Sequence, residues 1–289
     1  MIRRLIVSCF LCLCSLATYS QIVKTKLIDN GGNGPYKAIA VSEKTLPDFV
    51  VYRPENLKKA VKKEGTLPIL VFANGACANT SITHEKVLSE IASHGYIVVA
   101  IGALKMSNDE NWASTEAQML VDAMDWVVNQ NENESGDYYQ RLDLSKIAAG
   151  GQSCGGAQVM AVAGDARIKT YMMFNSGMGD MTMAGASTES LALVHGSVIY
   201  IVGGEEDIAT NNARLDYERI NHVPVTFANM LDGNHGGTFN EQYGGAFARM
   251  ALHWLDWQLK GAADQSAVFL ESDLSDFKNW SMDTKNFTN

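Results

Sequence analysis

Apolar residues along the chain fall into short continuous runs separated by amphipathic stretches. Pro68–Ala73 and Tyr96–Ile101 are apolar throughout, as strands buried on both faces are. Between them, Ser81–His94 carries Ile82, Val87, Leu88 and Ile91 at helical spacing, with Gly95 as its stop. Glu116–Asn129 repeats the pattern with Met119, Leu120, Ala123, Trp126 and Val127. Further strands are predicted at Lys146–Gly150, Lys169–Asn175, Val198–Val202 and, as the last, Pro224–Met230. Tyr36–Val41 and Phe49–Arg53 read as an antiparallel entry hairpin, Cys154–Gly164 as a helix of small residues, and Ala246–Leu259 as a closing helix. Alternation of this kind predicts an α/β fold with a mostly parallel central sheet flanked by helices on both faces. Ligand sites in such sheets lie beyond the carboxyl ends of the strands, so chemistry is expected in the loops that follow them.

The two ends of the chain break the pattern. Met1-Ile2-Arg3-Arg4, an apolar stretch from Leu5 to Leu16, and small residues through Ser20 form a secretory signal pattern, too short for a membrane span. Residues 1–20 are therefore expected to be an address and 21–261 a single catalytic domain, with the protein secreted or periplasmic. Residues 262–289 read as a coiled tail with Phe269, Phe277, Trp280 and Phe287 as anchors, packed on the domain or partly disordered. Of the chain's 289 residues, 46% are hydrophobic and 19% charged, enough for a sizeable core. The net charge of −9 goes to −11 without Arg3 and Arg4, a poor balance for nucleic acid or an anionic membrane surface. Of five cysteines, Cys9, Cys12 and Cys14 leave with the signal; Cys77 and Cys154 remain.

The loop after Lys146–Gly150 reads Gly151-Gln152-Ser153-Cys154-Gly155, a G-x-S-x-G turn with a strand before it and a small-residue helix after it. Such a turn exposes the serine oxygen above the sheet, and the helix N-terminus behind it supplies partial positive charge where an oxyanion forms. A serine alcohol needs a base. Of six histidines, His235 alone follows a strand, flanked by glycines in Asn234-His235-Gly236-Gly237, and it is the candidate base. The orienting carboxylate is Asp207, past the end of Val198–Val202, which gives the chain order Ser, Asp, His. Glu205 and Glu206 compete locally, and Asp180 is the alternative one strand earlier. The oxyanion hole is expected from the backbone N–H groups of Cys154 and of Ala76, with Gly75 next to it, in the loop after Pro68–Ala73. Both loops must converge on one oxygen, so Cys77 and Cys154 are expected to lie together as a disulfide; two separate buried thiols are the alternative.

These motifs, with Asn74-Gly75-Ala76-Cys77 and Gly203-Gly204-Glu205-Glu206-Asp207, resemble those of secreted α/β-hydrolases of the group that contains dienelactone hydrolases, chlorophyllase-like proteins and cutinase-like polyester hydrolases. The resemblance runs from Gly34 to about Gly261 and implies the α/β-hydrolase fold and the same triad, Ser153, Asp207 and His235. Dienelactone hydrolases proper carry a cysteine nucleophile where this chain has Ser153.

A substrate pocket is expected above the strand ends. Trp112, in the loop 106–114, and Met178, Met181 and Met183, in the loop 176–188, are candidates for an apolar wall, with Gln152 and Gly75 beside the serine. No metal-ligand spacing, phosphate loop or dinucleotide fingerprint stands out, so no metal or cofactor is expected. The expected activity is serine hydrolysis of a carboxylic ester, on a small molecule or a polymer, through an acyl-enzyme. The alternatives are a peptidase or amidase with the same triad, and a non-catalytic binding protein on a hydrolase scaffold. Which ester is cleaved, and the oligomeric state, stay open.

Overall fold

A computed structural model describes residues 21–108 and 111–287; the proposed signal segment lies outside the described residues. The chain begins with the edge strand β1 (Ile22–Lys26) and the hairpin β2 (Ala38–Glu43) and β3 (Leu46–Pro54). Helix α1 (Leu57–Glu64) leads to β4 (Leu67–Ala73), α2 (Glu85–Ser93) to β5 (Ile97–Ile101), and α3 (Gln118–Glu132) to β6 (Leu142–Gln152). There follow α4 (Cys154–Ala161), β7 (Ile168–Phe174), β8 (Ser197–Val202), α5 (Thr210–Arg219), β9 (Val225–Met230) and α6 (Gly245–Lys260). A short helix α7 (Ala267–Leu270) and strand β10 (Trp280–Lys285) close the chain.

All ten strands form one sheet in the order β1-β2-β3-β5-β4-β6-β7-β8-β9-β10. Pairings from β5 through β9 are parallel, while β1, β2, β3 and β10 add antiparallel edges. This is the α/β-hydrolase architecture expected. The continuous apolar runs have a simple cause, since both faces of the sheet are covered. In β4, Leu67, Ile69 and Val71 face a core shared with α1, α3 and α4, and Leu70 and Phe72 face a second core built on α2 and α6. In β8 the same alternation sends Val198, Tyr200 and Val202 to one side and Ile199 and Ile201 to the other.

Five elements were not anticipated: α1, α5, α7, β1 and β10. Helix α1 (LKKAVKKE) buries only Leu57 and Ala60, and α5 (TNNARLDYER) only Ala213 and Asp216. Strand β1 is mostly exposed. The last strand is not Pro224–Met230, as the sequence suggested. Strand β10 pairs antiparallel with β9, from Trp280 opposite Met230 to Lys285 opposite Val225. Its alternating polar residues are those of an edge strand, and Trp280, Phe269 and Phe277 anchor the segment in the second core. Among the described residues no helix is long and apolar enough to cross a membrane.

Candidate active site

Strand β6 runs straight into the turn at Ser153, which has φ 53° and ψ −120° and caps α4. Such a backbone is strained for a residue with a side chain and persists only where its surroundings fix it. Here the strand and helix are packed too closely for anything larger than glycine. A Cβ at position 151 would come within 2.3 Å of the Gly155 carbonyl oxygen, and one at 155 within 2.2 Å of that of Ala73. The Ser153 amide donates to the Phe174 carbonyl at 3.0 Å, and the Ser176 hydroxyl to the Ser153 carbonyl at 2.8 Å, so β7 holds the turn from one side.

His235 lies between Ser153 and Asp207. Its Nε2 is 2.9 Å from Ser153 Oγ and its Nδ1 is 2.7 Å from Asp207 Oδ1. Asp207 is buried and saturated with donors: the Gly203 and Ala209 amides, each at 3.0 Å, and Asn175 Nδ2 at 2.7 Å, besides His235. Burial pushes its carboxyl upward, but these hydrogen bonds outweigh it and hold the group below its ordinary value, so it is an anion at neutral pH. The rival carboxylates lie elsewhere. Glu205 and Glu206 are exposed, and Asp180 pairs with Arg219 on the surface at 2.7 Å. Asn175, missed in the sequence, also donates to the Asn234 carbonyl at 3.1 Å and so ties the Asp207 loop to the His235 loop. Its position directly after β7 was the available signal.

The loop after β4 lies across the cleft from His235. Asn74 pins it from below by donating to the carbonyls of Ala78 and Ile101 at 2.9 and 2.7 Å. Ala76 and Cys77 both have positive φ, 55° and 51°, and Ala76 is exposed beside the serine. Cys77 is bonded to Cys154 with their Cα atoms 5.1 Å apart, so a covalent link joins the two loops that carry Ala76 and Cys154.

A cleft of about 660 Å³ opens above Ser153 and His235. Gly75, Ala76, Gln152 and Trp112 line it, together with Ile82, His84 and Phe239, three residues not anticipated. Trp112 is brought in by a strap in which Ala113 donates to Asn79 Oδ1 and Thr115 donates to the Cys77 carbonyl, each at 2.8 Å. The methionine loop is a correction. Met178 is fully buried in the core on the α3 side of the sheet, and its amide is held by Asp216 Oδ2 at 2.5 Å, so it does not line the cleft. Among the described residues, no group of three or more His, Cys, Asp or Glu side chains is placed to hold a metal ion.

The chlorophyllase family model matches residues 30–191, more than half of the chain. The match includes Ser153, Cys77 and Cys154 and stops short of Asp207 and His235. No curated protein matches the chain.

Proposed function

The chain belongs to the chlorophyllase family, and from that premise we propose that it is a secreted serine hydrolase of carboxylic esters. Membership of the family makes an ester hydrolase of the α/β-hydrolase type the coarse reading. The finer one rests on a single observation, the unbroken hydrogen-bond chain Ser153–His235–Asp207 at 2.9 and 2.7 Å at the floor of an open cleft.

In this reading His235 Nε2 takes the Ser153 proton as Oγ attacks the ester carbonyl carbon. Asp207, anionic through its four donors, holds the imidazole in orientation and stabilises the imidazolium that forms. The negative charge that develops on the carbonyl oxygen is met by the backbone N–H groups of Ala76 and Cys154, each contributing about 2.7–4 kcal/mol at the transition state. His235 then protonates the departing alcohol, and water, activated by the same imidazole, releases the acyl group from Ser153. The disulfide supports the reading by fixing the distance between the two oxyanion donors. It also fits export through the signal pattern at residues 1–20, because disulfides persist in oxidising compartments.

The test is turnover of a p-nitrophenyl ester and labelling by a fluorophosphonate probe. Wild type is expected to hydrolyse the ester and take the label on Ser153, and Ser153→Ala to lose both. Wild-type turnover in Ser153→Ala would sink the serine mechanism. Absence of labelling in wild type would favour a binding protein on a hydrolase scaffold.

A further inference from the structure

Gln152 immediately precedes the serine and lines the cleft, the position of a substrate contact. Its hydrogen bonds point elsewhere. The side chain is almost entirely buried, and Nε2 donates to the backbone carbonyl of His235 at 3.1 Å. The Oε1 end lies against the loop after β4, where a Cβ on Gly75 would approach it to 2.0 Å. The Gln152 side chain also lies near enough to the His84 ring to raise its proton affinity against the effect of burial.

His84 is itself confined. It is 4% exposed, its centroid is 5.3 Å from the Phe72 ring and 4.9 Å from the Phe239 ring, and its Nδ1 is 3.1 Å from Thr83 Oγ1. Burial among these rings lowers its pKa to about 4, so the imidazole is neutral at working pH.

We propose that His84 and Gln152 form a positioning relay that sets the backbone of His235 relative to Ser153 and to the oxyanion loop, and that Gln152 is not a substrate contact. The assignment rests on the serine-hydrolase reading above. Three segments meet at this one amide: the turn before α2 through His84, the loop after β4 through Gly75, and the loop after β9 through the His235 carbonyl. The Asp207 bond orients the ring of His235, and the Gln152 bond fixes the backbone from which that ring projects. A displacement of about 1 Å in a catalytic group is enough to cost about 100-fold in rate.

The experiment uses three variants of the full-length protein: Gln152→Met, which keeps the volume and removes the hydrogen bond to the His235 carbonyl; His84→Phe, which keeps a ring between Phe72 and Phe239 and removes the polar ring nitrogens beside Gln152; and the double variant. On a soluble p-nitrophenyl ester, Gln152→Met is expected to lower kcat about 10- to 100-fold with KM within about twofold. His84→Phe should give part of that loss. The double variant should be no slower than Gln152→Met, since residues acting through one contact are non-additive. A raised KM with unchanged kcat would return Gln152 to the substrate, and fully additive losses would dissolve the relay. A second readout needs no substrate, namely the downfield proton resonance of His235 Nδ1 bonded to Asp207. It should broaden or shift in Gln152→Met, and an unchanged resonance would overturn the proposal. If wild type neither turns over esters nor takes the fluorophosphonate, the hydrolase reading fails, and this resonance alone decides whether Gln152 positions His235.

Discussion

Two segments that follow strands carry large apolar residues and look alike in sequence, yet they end in opposite places. The segment after β5 presents Trp112 half exposed, at 51%, over the cleft beside Ser153. The segment after β7 buries Met178 completely on the far side of the elbow. What separates them is where their backbone groups find partners. The Trp112 strap is bonded to the loop after β4, through Thr115 to Cys77 and through Ala113 to Asn79. The Met178 segment is drawn down by a buried carboxylate, with Asp216 of α5 accepting from the amides of Met178 and Gly179. An apolar side chain in a loop goes where the backbone hydrogen bonds of that loop are satisfied, and its hydrophobicity alone does not choose between pocket and core.

The disulfide gives the largest way to break this contrast, because Cys77 anchors the strap and nothing in the Met178 segment. The bond closes a separation of 77 residues, for which chain entropy predicts a stabilisation of roughly 4 kcal/mol. Cys77→Ser is expected to lower the thermal midpoint in oxidising buffer by several degrees and to reduce kcat, as the Ala76 and Cys154 donors lose their link. Unchanged midpoint and activity would deny the bond a linking role. The complementary change, Met178→Ala, removes a fully buried side chain and should cost about 2–5 kcal/mol in urea unfolding with KM unaltered. A rise in KM without loss of stability would place Met178 in the pocket after all.

The difference between these two segments also marks the limit of what the sequence discloses. The parallel strands, α2, α3 and α6 were legible because burial on two faces or along one helical stripe leaves a periodic signature. Ser153 stood out because its flanking glycines are demanded by contacts near 2.2 Å, so the steric need is written in the residue type. Asp207 and His235 were picked out by their positions after strands, and their side chains lie in hydrogen-bond reach of one another and of Ser153. Helices α1 and α5 were not picked out, because each is short and buries only two side chains, Leu57 and Ala60 in the one and Ala213 and Asp216 in the other. Strand β10 was hidden because its partner β9 is some fifty residues away and a six-residue edge strand shows only weak alternation. Met178 was misplaced because the carboxylate that pulls it inward lies on α5, itself unrecognised. The side chains of Asn175 and Gln152 hydrogen-bond carbonyls 59 and 83 residues away, those of Asn234 and His235, and no local pattern encodes such partners.

Titration gives a smaller handle on the same contrast. Burial, only partly offset by the hydrogen bonds from Met178, Gly179 and Tyr200 and the charge of Arg219, raises the Asp216 carboxyl to about 6. The folded state therefore holds this proton more tightly than the unfolded chain, whose carboxyl titrates near 3.9. Its contribution to stability is fully present below about pH 4 and is lost as the pH rises towards 6, at most on the order of 2–3 kcal/mol. Asp207 has the opposite sign, since its lowered carboxyl stabilises the fold above the ordinary carboxylate range and ceases to do so as the pH falls through its folded value. Urea midpoints of wild type and Asp216→Asn between pH 4 and 6.5 separate the two. The variant should lack the component that declines with rising pH, and identical slopes would remove the carboxylate clamp from the account of the Met178 segment.

The smallest expected effect tests the other segment directly. Trp112 is half exposed, so truncating it removes little buried area and should alter stability by no more than about 0.5 kcal/mol. Its ring lines the cleft with Phe239 and Ala76, where it is available to cover one side of a bound acyl or aryl group. Contact of this kind contributes about 0.5–1.5 kcal/mol, which corresponds to a change of roughly 2- to 10-fold in KM. Trp112→Ala is therefore expected to raise KM for an aryl-bearing ester by that factor and to leave kcat and the thermal midpoint near wild type. The change in KM should shrink for an acetyl ester, whose acyl group is too small to reach the ring. If instead the midpoint falls and KM holds, the strap is packing for the oxyanion loop, and the contrast with Met178 becomes one of exposure without consequence for substrate.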